Sequence, residues 1–132
     1  MTSSSCYCIM LRKATRRVSS IYDEALEPVG INIGQFSLLR NVARRAPISL
    51  TELGAVMELD RSTIGRNTKI LERMTLLETV AGKDSREALL VLTDTGKDTL
   101  DQAIPLWEGA QHAISTKLGS TAEQFHDLLN TL

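Results

Sequence analysis

The chain has 132 residues, 42% of them hydrophobic and 23% charged, with 15 basic and 16 acidic side chains for a formal net charge of -1. That length suits one domain able to bury roughly two thirds of its unfolded surface without disulfide staples. No window reaches the ~18 consecutive apolar residues of a membrane span, and no basic segment followed by an apolar core opens the chain, so the expected compartment is the cytoplasm and no membrane partner is expected. The near-neutral total conceals a gradient: residues 1–92 carry 13 Lys and Arg against 10 Asp and Glu, whereas residues 93–132 carry 2 against 6. A basic front with an acidic tail permits a nucleic-acid partner on one face.

From Leu11 the apolar residues Leu11, Ala14, Val18, Ile21 and Ala25 step by three and four, the seam of an amphipathic helix that Pro28 and Gly30 close. A second helix is expected over Ile33–Arg44, with Phe36, Leu39, Val42 and Ala43 on one side and Ala46-Pro47 as the stop. Ser49-Leu50-Thr51-Glu52 is a capping box opening a short helix that turns Leu50, Leu53, Val56 and Met57 inward. The turn Glu58-Leu59-Asp60 follows, and Asp60 can cap a polar helix running from Arg61 to Met74 with Ile64, Ile70, Leu71 and Met74 inward. Two short apolar runs, Leu77–Ala81 and Ala88–Leu92, flank a polar tip containing Gly82 and predict a hairpin. Thr93 or Asp94 can cap a long helix bearing Leu100, Ala103, Ile104, Trp107, Ala110, Ile114 and Leu118, with Pro105 inside it and Gly119 at its end. A second capping box, Ser120-Thr121-Ala122-Glu123, predicts a terminal helix with Phe125, Leu128, Leu129 and Leu132 on its apolar side.

This order describes a mostly α fold with a small β-hairpin wing: a winged helix-turn-helix over residues 33–92, flanked by helices over 5–30 and 94–132. Reading a major groove requires side chains that make forked hydrogen bonds to base edges, and Arg61, Ser62, Thr63, Arg66, Asn67 and Lys69 supply them. Lys83 and Arg86 at the hairpin tip suit phosphates or a narrow minor groove. One reading helix gains little selectivity alone, so the apolar residues Leu11, Ala14, Val18, Ile21, Phe125, Leu128 and Leu129 are expected to join two copies.

The runs Ser49-Leu50-Thr51-Glu52-Leu53-Gly54, Leu59-Asp60-Arg61-Ser62-Thr63-Ile64, Leu71-Glu72-Arg73, Asp84-Ser85-Arg86 and Leu92-Thr93-Asp94-Thr95-Gly96 resemble the multiple-antibiotic-resistance regulator (MarR) family of bacterial transcription factors. The stretch Gly30–Leu39 is similar to the segment before the reading domain in that family. The resemblance covers about residues 6–118 and implies a single domain, residues 1–132, that pairs as a homodimer through its terminal helices. Such a dimer would bind a pseudo-palindromic operator on double-stranded DNA, usually as a repressor, without turning anything over. It makes Asp60 to Lys69 the start of the reading helix and Asp84 with Arg86 the wing motif, in which the aspartate orients the arginine toward DNA. The sequence departs from the family around Met74-Thr75-Leu76, where a glycine is usual.

Cys6-Tyr7-Cys8 matches neither a disulfide framework nor a zinc ribbon. It is similar in location to the N-terminal cysteine of the hydroperoxide-sensing branch of the family. A helix N-terminus and Arg12 nearby are surroundings that make a thiol selectively oxidisable, so Cys6 and Cys8 are candidate redox sensors that release DNA. A small-molecule effector is the other expected trigger. His112 and His126 fall in no nucleophile, phosphate-loop or metal-ligand pattern, and neither cofactor, metal nor catalytic residue is expected. Two other readings remain open on the residues alone. One is a thiol redox protein using Cys6 and Cys8; the other is a winged-helix module that binds protein.

Overall fold

The computed structural model describes residues 5–84 and 86–132, so Ser85 of the wing motif and the first four residues of the expected domain lie outside the described residues. Helix α1 (Tyr7–Leu26) ends in a 3-10 turn over Glu27–Val29, and Gly30 follows at φ +75°, a left-handed conformation that glycine adopts without strain. Helix α2 (Ile33–Arg45) opens on a capping box the sequence analysis did not name. Asn32 Oδ1 accepts the Gln35 amide at 2.8 Å, and Gln35 Oε1 accepts the Asn32 amide at 2.9 Å. The Ile33 amide, another unpaired donor of that first turn, reaches Asp23 Oδ1 of α1 at 2.8 Å, so the two helices are tied where they meet.

A two-residue strand β1 (Ile48–Ser49) leads into α3 (Leu50–Met57), then α4 (Arg61–Arg73), β2 (Leu77–Ala81) and β3 (Ala88–Leu92). The expected hairpin is therefore part of a three-stranded antiparallel sheet in the order β1-β3-β2, with Ile48 opposite Leu90 and Leu77 opposite Leu92. Helix α5 (Asp94–Leu118) runs on through Pro105, a 3-10 turn covers Gly119–Thr121, and α6 (Ala122–Asn130) closes the chain.

Leu26, Phe36, Leu38, Leu39, Val42, Leu53, Ile64 and Leu71 are fully buried in one core that reaches β3 through Leu90 and Leu92 and α5 through Leu100 and Ala103. Four expected core residues are on the outside: Ala43, Val56, Ile70 and Met74. On α4 the buried stripe is Ile64, Thr68 and Leu71, and Ile70 lies one residue, about 100° of helix rotation, off it. Val56 stands off the Leu53-Gly54-Met57 side of α3 for the same reason, while Met74 and Ala43 sit at helix ends beyond the packed stripe. The second capping box does not form, because the 3-10 turn carries the chain helically into α6; the Thr121 hydroxyl donates to the Leu118 carbonyl instead.

Candidate nucleic-acid interface

The turn between α3 and α4 is tight because Glu58 takes the left-handed conformation, φ +53°, and the Leu59 amide returns to the Gly54 carbonyl at 3.0 Å. Asp60 then caps α4. Its carboxylate accepts the Thr63 amide at 2.7 Å and the Ser62 hydroxyl at 2.9 Å, and these bonds, led by the Thr63 amide and helped by the charge of Arg66, hold the Asp60 carboxyl below its ordinary value.

Burial of Ile64, Thr68 and Leu71 fixes which side of α4 faces out. Ser62, Arg66, Lys69 and Arg73, stepping by four, three and four, form an exposed stripe opposite the core. Arg73 was not among the expected residues. Its helical register with Lys69 is visible in the sequence, but it lies in the last turn of the helix, away from the first turns that carry the other candidate residues. The remaining expected residues stand on the flanks. Arg61 borders a groove with Thr51 and Gly54 of α3, Thr63 is half-buried, and Asn67 borders a 270 Å³ pocket with Asn32, Gly34 and Gln35 of α2.

In the wing, Lys83, Asp84 and Arg86 are exposed. Asp84 Oδ1 accepts the backbone amide of Arg86 at 3.2 Å, and the tip is closed by Gly82 N–H to Glu87 O at 2.8 Å and Glu87 N–H to Asp84 O at 2.9 Å. The aspartate thus orders the arginine's backbone.

Behind the interface, the end of α4 and the start of α5 share a set of bonds. Thr75, within the Met74-Thr75-Leu76 stretch, has φ +62°. The Thr93 hydroxyl donates to Thr75 O at 2.6 Å and accepts the Gly96 amide at 2.9 Å, and the Thr93 amide donates to Leu76 O at 3.1 Å. Gly96 lies so close that a Cβ there would stand 2.0 Å from the Leu76 carbonyl oxygen. Further along α5, Trp107 stacks on Phe36 of α2 at 5.5 Å between ring centroids, with the Arg40 guanidinium 4.4 Å from the indole centroid, which places the single Trp at the junction of the two helices.

Elsewhere, α1 and α6 present apolar side chains that are exposed among the described residues. Leu11, Val18, Phe125, Leu128 and Leu129 are exposed, Ala14 and Ile21 half-buried. Most of these line a groove of 670 Å³ that also takes in Tyr7, Met10 and Leu132. Cys6 occupies the position before α1 without a side-chain capping bond, and Cys8 lies in the first turn; both thiols are free and exposed. Among the described residues no three His, Cys, Asp or Glu side chains come together as a metal site, and no helix is long and apolar enough to cross a membrane.

A model of the MarR family matches residues 31–86, the part of the chain from the start of α2 to the wing. The transcriptional regulator MosR of M. tuberculosis, solved in complex with DNA, is 32% identical and superposes with a TM-score of 0.86, covering 96% of this chain and 93% of that one. A mutant of MarR from E. coli complexed with operator DNA shares the fold, with a TM-score of 0.85 at 22% identity over 92% of this chain and 89% of that one. The HTH-type transcriptional regulator YwoH of Bacillus subtilis is 29% identical over 83 residues, which is 63% of this chain. The chain spans 61% of that relative's length.

Proposed function

The chain belongs to the MarR family, a family of transcription regulators and not of enzymes, and on that footing we propose that it binds operator DNA with the outward stripe of α4 and the tip of the wing. The observation that carries this reading is the alignment of Ser62, Arg66, Lys69 and Arg73 on the exposed side of a helix whose other side is locked into the core. Arginine forks onto guanine O6 and N7, while Lys83 and Arg86 at the tip engage phosphates or the minor groove beside it. The relative at 32% identity was itself solved on DNA, which supports the same use of the fold here.

Two copies pair through α1 and α6 into a homodimer, so that two reading helices meet a pseudo-palindromic site about one helical turn apart. The exposed apolar groove between those helices supports this arrangement. The dimer acts in the cytoplasm as a repressor, with α1, α5 and α6 as its dimerisation part and the segment from α2 to β3 as its reading part. Release follows a change in the populations of two dimer arrangements, driven by a small-molecule effector or by oxidation of Cys6 or Cys8. The exposure of both thiols at the start of α1, beside the groove, supports the oxidative route.

Fluorescence anisotropy on duplexes enriched from a random pool tests the proposal. Binding is expected to be selective and to fall steeply between low and physiological salt, as phosphate contacts require. Mild peroxide is expected to release DNA from the wild-type protein and to leave the Cys6→Ser or Cys8→Ser variant bound. Absence of any enriched sequence would overturn the reading in favour of a protein-binding winged module. Peroxide turnover with a thiol reductant and no DNA binding would favour a thiol redox protein.

A further inference from the structure

We propose that Thr93 is a positioning residue for operator reading, through a clasp that fixes the end of the reading helix α4 against the start of the long helix α5. The inference rests on the proposed function and adds to it a residue that touches no DNA.

The clasp joins the end of α4 to the start of α5. The Leu76 amide returns to Leu71 O at 2.9 Å, which ends α4 in a fixed turn. Leu76 O then accepts the Thr93 amide, and the Thr93 hydroxyl bridges outward to Thr75 O and inward to the Gly96 amide. One hydroxyl therefore caps α5 with its lone pair and holds the exit of α4 with its proton. Gly96 lets the two backbones approach so closely that a methyl group cannot stand between them. Thr75 remains left-handed, φ +62°, although it is β-branched, which requires that its surroundings over-determine it. Since α5 runs from this joint to α6 and the apolar groove, the joint contributes to the angle at which each reading helix leaves the body, beside the Ile33–Asp23 bond and the Trp107–Phe36 stack that also tie α2 to α1 and α5. In a dimer that angle sets the distance between the two reading helices, and hence the half-site spacing the protein prefers.

Substitutions at residue 93 separate the two bonds. Serine keeps both. Aspartate keeps an oxygen to cap α5, so the chain folds, but at neutral pH it has no proton to give Thr75 O. Valine keeps the shape and loses both bonds. The full-length variants are compared with wild type for affinity to the enriched operator and to the same operator with one base pair inserted or removed between half-sites. Wild type and Thr93→Ser are expected to prefer the native spacing by roughly tenfold or more, and Thr93→Asp to lose that preference to within about twofold. The added charge of aspartate weakens binding to all three duplexes alike, so it does not imitate the loss of spacing preference. Thr93→Val is expected to lose the preference as well, with a lower melting temperature. Retention of the wild-type spacing preference in Thr93→Asp would overturn the assignment. A wild-type protein that selects no operator at all would instead bring down the proposed function, and this inference with it.

Discussion

Thr75 occupies the left-handed region, φ +62°, where a β-branched side chain is costly and glycine is at ease. Thr75→Gly is expected to stabilise the protein by up to about 1 kcal/mol in chemical denaturation, since the bond from Thr93 is to its carbonyl and survives the change, while the loss of the Thr75 hydroxyl's bond to Met74 O at 2.6 Å offsets part of the relieved strain. The departure from the family at Met74-Thr75-Leu76 was visible in the sequence, and its physical meaning is this one residue's dihedral. Two glycines give opposite expectations. Gly96→Ala sets a methyl 2.0 Å from Leu76 O and should cost about 3 kcal/mol or more, whereas at Gly65 the nearest atom is Leu50 Cδ2 at 3.9 Å and alanine should add up to about 1 kcal/mol. Thermal melts of the two variants check both. Asp60 carries the acid sensitivity of α4. Its carboxyl is held below 3.8 by the Thr63 amide, so the charged cap contributes stability that is fully present above that value and is lost as pH falls through the lowered folded-state value. Asp60→Asn keeps an acceptor without the titration. Its melting temperature should fall less steeply than that of wild type in this acid range; parallel curves would show that the cap does not titrate.

Among the elements, the helices were legible because their apolar residues recur at three and four; Asp60 caps α4 as the sequence indicated, and of the two caps open for α5, Thr93 or Asp94, the structure takes Thr93. Strand β1 was not, since two residues carry no alternation and its reality rests on pairing with Leu89 and Leu90. The face of α4 was legible only in part. Ile70 and Met74 look apolar enough for the core, but Thr68, bonded through its hydroxyl to Gly65 O at 3.0 Å, takes the buried place, and the outward stripe rotates to include Arg73. The flanking positions of Arg61, Thr63 and Asn67 likewise depend on how α4 lies against α2 and α3, which spacing alone does not encode. The wing contributes differently from the helix. Arg86→Ala is expected to weaken binding about equally for all sequences and to lower the salt slope by about 1, while Arg66→Ala should remove roughly 1–3 kcal/mol of discrimination at its base. Affinities measured at several salt concentrations distinguish the two.

Arg66, Lys69 and Arg73 stand exposed on α4, the apolar groove lies between α1 and α6, and α5 runs from the end of β3 to the turn before α6. In the proposed dimer a second copy covers this groove, since the exposed apolar side chains on α1 and α6 are the kind that a dimer interface buries. Leu128→Glu is expected to shift the protein from dimer toward monomer in sedimentation and to weaken operator binding through loss of the paired reading helix. The charge gradient along the chain, basic before residue 93 and acidic after it, was readable from composition, but it does not follow the division between reading part and groove, since Arg12, Lys13, Arg16 and Arg17 belong to α1 and two of them line the groove. The most decisive measurement is binding-site selection from a random duplex pool, run in parallel on the wild-type protein and Arg66→Ala. Wild type should yield a pseudo-palindrome, and the variant should yield the same site with base preference lost at one symmetry-related pair of positions. An unchanged consensus for the variant, at every position, would show that α4 does not read the operator through this stripe.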